Sequence, residues 1–519
     1  MSEVQLTKRD GLNRTWLTAT GALAIGVILL VFVFRREAVS AVYVWRTSTA
    51  FNHCFLVPFV IAYLAWEKRD ALSTTPATPA PLWWISIAAL PVAIGWFAAE
   101  RLGFMEGQQL FAIAFVQILI LGVLGFLAAR VFAAPILYLF FLVPFGDFLV
   151  PWLQTFTAHF ITKGLDFLSI PNYGDGVVIE IPEGRFHVAE ACAGLRFLIA
   201  SLAFGVLYAC IMYYSIWRRL IFIFVSLVVP IVANGIRALG TIVVAHVIGN
   251  SQAVEIDHIF YGWLFFSLVT ILLMLLGLPF RDRPRDAIPR SSKPRVFSII
   301  KPTGLVVAIM TLTAAAPRLF AAYLDAGPPP AFSQLAFPAL AGCEFVPVLP
   351  TFVVKSPATD LAASTSRAYQ CDSHIFVVTL LSLPARIGAR PLFIEQGLSL
   401  EELGSDTSTT ARVNVGAGPE AQSWAETEFT HDGHFVISAS ALWVAGRPSV
   451  GIHGRLSQAL NSMQRSPRIP VVAVVIYDAA EKADHPFQVL DDFLVDLTPL
   501  SGVIDRFADS AGASGTDHQ

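Results

Sequence analysis

The chain has 519 residues, 55% of them hydrophobic and only 14% charged, where a soluble protein carries about 25% charged residues. With a mean hydropathy of +0.63 it is built to lie largely in lipid, and a formal net charge of -3 offers no basic footprint for nucleic acid. Five cysteines without a CxxC pair argue against a disulfide scaffold or a zinc cluster, so each is judged by its position.

Apolar windows of about the length that crosses a bilayer fall at 16–34, 51–66 (short), 82–100, 108–129, 131–150, 192–213, 220–246, 258–279 and 303–322. They predict an α-helical polytopic membrane bundle of about eight or nine spans. The first window is followed by "FVFRREAV" rather than a small-residue cleavage site, so it is read as a retained helix and not a signal peptide. Between Pro151 and Val188 the hydrophobicity falls, and "VVIEI" and "RFHVA" around "PEG" predict a short hairpin outside the lipid. The lysines and arginines favour an inside N-terminus: Lys8, Arg9, Arg14, Lys68, Arg69, Arg130, Arg218, Arg219 and "RDRPRDAIPRSSKPR" fall in inner loops, with Arg35, Arg36 and Arg46 as outer exceptions. That orientation places the hairpin and the loop "NSQAVEIDH" on the outer side and sends the chain outward after its last span.

The predicted organisation is a transmembrane domain over 1–300, a last helix and connector over 301–322, a soluble extracytoplasmic α+β domain over 323–505 and a disordered tail over 506–519. In the outer domain "HIFVVTLL", "HFVISASALWVAG" and "IPVVAVVIYDA" read as strands and "GIHGRLSQALNSMQ" as an amphipathic helix. Cys343 and Cys371 fall there, where an oxidising compartment would let them pair; the sequence leaves their distance open.

The stretch "VAEACAGLRFLIASLAFGVLY" starts polar and becomes a membrane-grade run. Cys192 is placed at the start of that helix, where the macrodipole and unpaired N–H groups favour a thiolate. Arg196, at i+4, adds positive charge one turn deeper, and Gly194 is read as keeping the sulfur approachable. Cys54 and Cys210, inside apolar runs, are read as core residues. In "IVANGIRALGTIVV" Arg237 lies within an apolar span, which marks a cavity or a functional site unless the side chain snorkels to the interface; Asn234 is one turn earlier on the same face. In "EIDHIFYGWLFF" His258 opens the following span, with Gly262 leaving room at i+4. A thiolate, a proton-handling imidazole and a guanidinium for an oxyanion make up the needs of nucleophilic acyl transfer. His246, His187 and Glu190 lie nearby but match no standard zinc spacing, so no metal or cofactor is expected.

"EACAGLR", "NGIRALG" and "DHIFYG", in this order and each tied to a membrane helix, resemble the exosortase family of bacterial membrane transpeptidases over roughly residues 10–285. The resemblance implies that Cys192 is the nucleophile, Arg237 and His258 the essential partners and Arg196 a supporting residue; Glu190 and Asn234 are read as further supporting residues from their places beside the cysteine and the arginine. It implies substrate proteins that end in a Pro-Glu-Pro-type motif, a transmembrane helix and a basic cluster, with transfer to a surface acceptor at the cytoplasmic (inner) membrane. Two positions depart from the family's usual pattern: His53 is followed by Cys54 before "LVP", and Ala193 stands where serine is commoner. The stretch from Ser440 to Met463 is similar to a methanolan-biosynthesis type domain, which implies a link to exopolysaccharide production; Trp443, Arg447 and Arg455 are candidate glycan or partner contacts there, against a plainer reading as a core tryptophan and solvated arginines. The competing reading is a non-enzymatic exopolysaccharide assembly or transport component in which Arg237 lines a conduit; such proteins tend to show internal repeats, and none is evident.

Overall fold

The computed structural model describes residues 3–73, 75–188, 192–248, 258–282, 300–325, 337–347, 363–382, 407–415, 422–431, 434–444, 447–449, 451–463, 471–479, 486–497, 500 and 502–504. Glu190, most of the "NSQAVEIDH" loop, the basic segment after Asp282 and the C-terminal tail lie outside them. The chain forms two compact units, one of Met1–Val92 with Gln109–Ala314, the other of Ala93–Gln108 with Ala315–Gln519.

The helices are α1 (Glu3–Val33), α2 (Arg35–Thr47), α3 (Val57–Glu67), α4 (Leu82–Arg101), α5 (Met105–Val131), α6 (Ala133–Tyr138), α7 (Val150–Phe167), α8 (Leu195–Met212), α9 (Ile216–Ile248), α10 (His258–Gly277) and α11 (Ile300–Asp325). Among the described residues six are long and apolar enough to cross a membrane, and a pair of helical segments bent by 70° makes up to seven. Three expected spans are not among the six: in the 258–279 window Leu264–Phe280 counts only as a shorter apolar helix, and two others are not single crossing helices. The 51–66 window yields only the 11-residue α3, about 16 Å of helix at 1.5 Å per residue. The 131–150 window breaks at "VPFG", where Pro144 cannot continue the ladder and Gly146 takes φ +142°; beyond the bend the chain runs on as α7, a helix in a region expected to leave the lipid.

The predicted hairpin is present as β2 (Val178–Ile181) and β3 (Gly184–His187), extended by β1 (Tyr173–Asp175) into a three-stranded antiparallel sheet. Its apolar side, Ile179 and Ile181, packs with Val188 onto Ala158, Ile161 and Leu165 of α7 and Ile242 of α9. Glu183, in the β2–β3 turn, pairs with His246 at 2.8 Å near the end of α9; the hydrogen bond from that imidazole holds its carboxyl below the ordinary carboxylate range. At the opposite end of α9, Asp282 accepts the N–H groups of Tyr214 and Ser215 at 2.7 and 3.0 Å and Nη1 of Arg218 at 2.6 Å. α9 is thus clasped at both termini, which fixes how Asn234 and Arg237 are presented between them.

In the second unit the described strands form an antiparallel sheet in the order β4-β5-β6-β11-β9-β8-β7, with β10 added to β9. They are β4 (Cys343–Val346), β5 (Ala363–Cys371), β6 (His374–Ser382), β7 (Thr407–Val415), β8 (Gln422–His431), β9 (His434–Val444), β10 (Arg447–Ser449) and β11 (Val471–Ala479), with helices α12 (Gly451–Met463) and α13 (Pro486–Asp496). β6, β9, β11 and α12 coincide with the four elements expected from the sequence. Cys343 and Cys371 stand opposite one another in the β4–β5 register and are bonded, 4.2 Å apart at Cα. Trp443 is buried edge-on to Trp424 at 5.3 Å between ring centres, a core position rather than a binding surface.

Glu426 of β8 is buried beneath α13. Burial first, and then the charge and hydrogen bond of Asp491, push its carboxyl from 4.5 up to about 8. The folded domain therefore keeps a proton that the unfolded chain releases at lower pH. This group's contribution to stability is full below the unfolded value and falls as pH rises through the window up to about 8. Glu426→Gln, which keeps the shape and removes the titration, is expected to flatten that loss and to increase hydrogen-exchange protection of β8 and β9 at pH 8 while changing little at pH 5. Exchange of the full-length protein, corrected for intrinsic rates, checks this.

Candidate active site

The site is assembled by α7, α8 and α9 around the segment that leaves β3. Val188 is held at both of its backbone groups: its N–H donates to the Val177 carbonyl at 2.9 Å, and its carbonyl accepts Nε2 of Gln154 at 3.1 Å. The chain then reaches Cys192, half-buried and not disulfide-bonded, followed by buried Ala193 and Gly194.

α8 does not begin at Cys192. Its first residue is Leu195 and its N-cap is Gly194, whose φ of +82° lies in the left-handed region. The thiol therefore sits two residues ahead of the cap, and the expected i, i+4 pairing of Cys192 with Arg196 on one helix face does not apply. Gly194 serves a different purpose from the one expected of it. A Cβ at this position would come within 2.6 Å of Asn234 Cγ, so the absent side chain makes room for Asn234 to approach the backbone. Gly194→Ala is expected to cost about 1–2 kcal/mol for the left-handed conformation and to push Asn234 from its place. Loss of processing with retained expression, compared on one immunoblot, checks it.

Asn234 is the hub. It is 1% exposed, and its Nδ2 donates to the Cys192 carbonyl at 2.7 Å and to Thr157 Oγ1 at 3.4 Å. Its Oδ1 accepts from Nη2 of Arg237 at 3.2 Å. One amide thus ties the backbone of the cysteine to the guanidinium, and donors and acceptors on both sides fix which way it points. Arg237 is 3% exposed, so it is held inside the protein rather than snorkelling to the interface. Thr157 was not anticipated. It lies on α7, whose segment "VPWLQTFTAHFITKGLDF" has a Pro at the start and polar residues throughout; Pro151 in the first turn, where no N–H is needed, was the available helix signal.

Arg196 occupies the first turn of α8, where a cation opposes the macrodipole. Its guanidinium lies 4.7 Å over the Phe197 ring, and its Nε is buried without a hydrogen-bond partner. Arg237 and Cys192 are both near enough to act on it electrostatically. Two guanidiniums gathered around the cysteine segment make a site that favours negative charge on an oxygen brought by a substrate.

His258 is the first residue of α10; its side chain lies outside the described residues, as do Glu190 and the side chain of His187. Two turns along, Phe266 stacks on Phe197 at 3.5 Å and 8°, which docks α10 against the first turn of α8 beside Arg196. Gly262 is not forced to be small: a Cβ there would lie 3.9 Å from Phe197 Cζ, an ordinary contact. His246 is engaged by Glu183. Cys54 is buried with its Sγ 3.8 Å from Nε2 of His53, and Cys210 is half-buried on α8.

The bundle and this site define a multi-pass membrane protein with a cysteine held beside arginines at the head of a membrane helix. Residues 45–275, a segment that includes Cys192, Arg237 and His258, match the family described as transmembrane exosortase. No curated protein and no solved structure matches the chain. The C-terminal sheet domain lies beyond the matched segment.

Proposed function

We propose that this protein is a membrane-embedded cysteine transpeptidase that cleaves C-terminal sorting signals of the Pro-Glu-Pro type and transfers the released protein to a surface acceptor. The observation that carries the reading is the Asn234 amide, which joins the Cys192 backbone at 2.7 Å to the buried Arg237 at 3.2 Å. In this scheme Cys192 Sγ attacks the scissile carbonyl carbon and the carbonyl π pair moves onto oxygen. Arg237, with Arg196 beside it, stabilises that oxyanion. Collapse breaks the C–N bond, His258 protonates the leaving amine, and a thioester remains. The acceptor nucleophile then gives its proton to His258, attacks the thioester and returns the thiolate. Asn234 and Thr157 act as positioning residues, and Glu190 is assigned a supporting role from its place in the cysteine motif. A site drawn from three packed membrane helices is poor in water, which favours transfer over hydrolysis.

The active site and the C-terminal domain face the periplasm in this reading, with the N-terminus inside the inner membrane, and the C-terminal methanolan-type domain links the enzyme to exopolysaccharide production. The test is capture of the intermediate. A substrate with a Pro-Glu-Pro-type tail, incubated with membranes containing the full-length enzyme, is expected to form an adduct at Cys192 that neutral hydroxylamine releases as the substrate hydroxamate. A shortened substrate with no such adduct or hydroxamate, produced equally after thiol alkylation, would overturn the reading.

A further inference from the structure

We propose that α2 is a lipid-binding helix whose outward face takes the phosphates of anionic membrane lipids. The apolar part of α1 runs over Thr15–Val33, 19 residues, or about 28 Å at 1.5 Å per residue, close to the thickness of the hydrocarbon core. A single residue, Phe34, separates it from α2, so α2 starts where the lipid headgroups start.

One side of α2 is committed to the protein. Glu37 and Ala41, one turn apart, are buried; the Glu37 carbonyl accepts Nε2 of Gln109, four residues from the start of α5, at 3.3 Å. Near its other end, Nε1 of Trp45 donates to the Leu142 carbonyl at 3.1 Å, where the bent helix pair breaks. Both anchors lie at the ends of membrane helices and not in mid-span, which holds α2 at the boundary.

The other side is exposed and has a consistent pattern. Arg35, Val39, Val42, Tyr43 and Arg46 recur at i, i+4, i+7, i+8 and i+11, a single helical stripe, with Arg36 beside it. Val39 is 70% exposed, Tyr43 66% and Val42 41%, apolar surface that water would penalise and the acyl boundary would cover. The arginines bracket this patch, and the helix's one acidic residue, Glu37, is turned inward and buried. An apolar centre flanked by three guanidiniums, none of them ion-paired among the described residues, complements lipid tails beneath a layer of phosphates. The placement also accounts for Arg35, Arg36 and Arg46, which run against the positive-inside trend: that trend describes loops, and these residues sit on an interfacial helix.

The test uses full-length protein reconstituted in nanodiscs of phosphatidylcholine with phosphatidylglycerol as a minor component, with retained lipids quantified by native mass spectrometry. Wild type is expected to retain phosphatidylglycerol several-fold above its bulk share. The R35Q/R36Q/R46Q variant is expected to lose that enrichment, and R35K/R36K/R46K to keep it, both with unchanged helical circular dichroism. Equal enrichment in wild type and the glutamine variant would overturn the proposal. So would displacement of the bound lipid by millimolar inorganic phosphate, which would make the patch a site for free anions.

Discussion

Cys192→Ala is expected to leave a co-expressed Pro-Glu-Pro-tailed substrate entirely at its full length, at enzyme levels equal to wild type. The clean loss follows from how the residue is held. Asn234 grips the backbone carbonyl of Cys192, not the sulfur, so removing Sγ leaves the 2.7 Å hydrogen bond and the approach to α8 in place. The half-buried side chain contributes one heavy atom to the packing around it, and deleting a group of that size costs about 1 kcal/mol. Folding is thus nearly untouched while the atom that carries the acyl group in the proposed scheme is gone. Cys210→Ala, a comparable deletion within α8, is expected to process normally, which separates chemistry from a general intolerance of cysteine loss. Equal shortening of the substrate by wild type and Cys192→Ala would remove the nucleophile from the scheme and return the conduit reading.

What the sequence made legible divides by the strength of its periodic signal. Strands β6, β9 and β11 carry near-continuous apolar runs and occupy the centre of the second sheet, where both faces are covered. β5, β7 and β8, with "ASTSRAYQC", "TSTTARVNV" and "QSWAETEFTH", lie toward the edges and lack such runs. They are strands because they pair with the central ones, a tertiary cause that no local window contains. In the membrane region the long helices α4, α8, α9 and α11, and α5 with its kink at Gly125, fall within a few residues of the apolar windows. The break at "VPFG" does not, because a hydropathy average passes over a Pro and a Gly that the backbone cannot ignore.

The candidate site was legible in its parts and not in its connections. Cys192, Asn234 and Arg237 stand out as polar residues in apolar surroundings, and the structure brings them together. The cysteine's position was misjudged by three residues because the helix start depends on the left-handed Gly194, and a glycine between two helix formers does not announce its φ. Thr157 and Gln154 belong to the same assembly through a helix that lies in the region expected to leave the lipid, where no helix was expected. Neither residue has an unusual local sequence; only the packing of α7 on α9 and the small sheet shows where their side chains are aimed.

Arg237→Gln is expected to lower processing by about 10²–10³-fold, the range seen when one charge-stabilising donor is taken from an acyl-transfer site. The argument rests on burial and on the hydrogen bond to Asn234. Glutamine retains an amide donor that can reach toward Asn234 Oδ1, so the grip on Cys192 is weakened less than it would be by alanine. What glutamine cannot supply is charge in a low-dielectric interior, where charge acts most strongly on a developing oxyanion. Arg237→Lys keeps the charge but loses the planar fork that reaches Asn234 and a substrate oxygen together, so it is expected to fall between wild type and glutamine. Labelling of Cys192 with a small maleimide at fixed pH distinguishes a chemical defect from a structural one. Labelling close to wild type, together with the loss of processing, places Arg237 in the reaction; strongly reduced labelling would mean that the arginine chiefly holds the cysteine segment open; and wild-type processing by Arg237→Gln would remove it from the site.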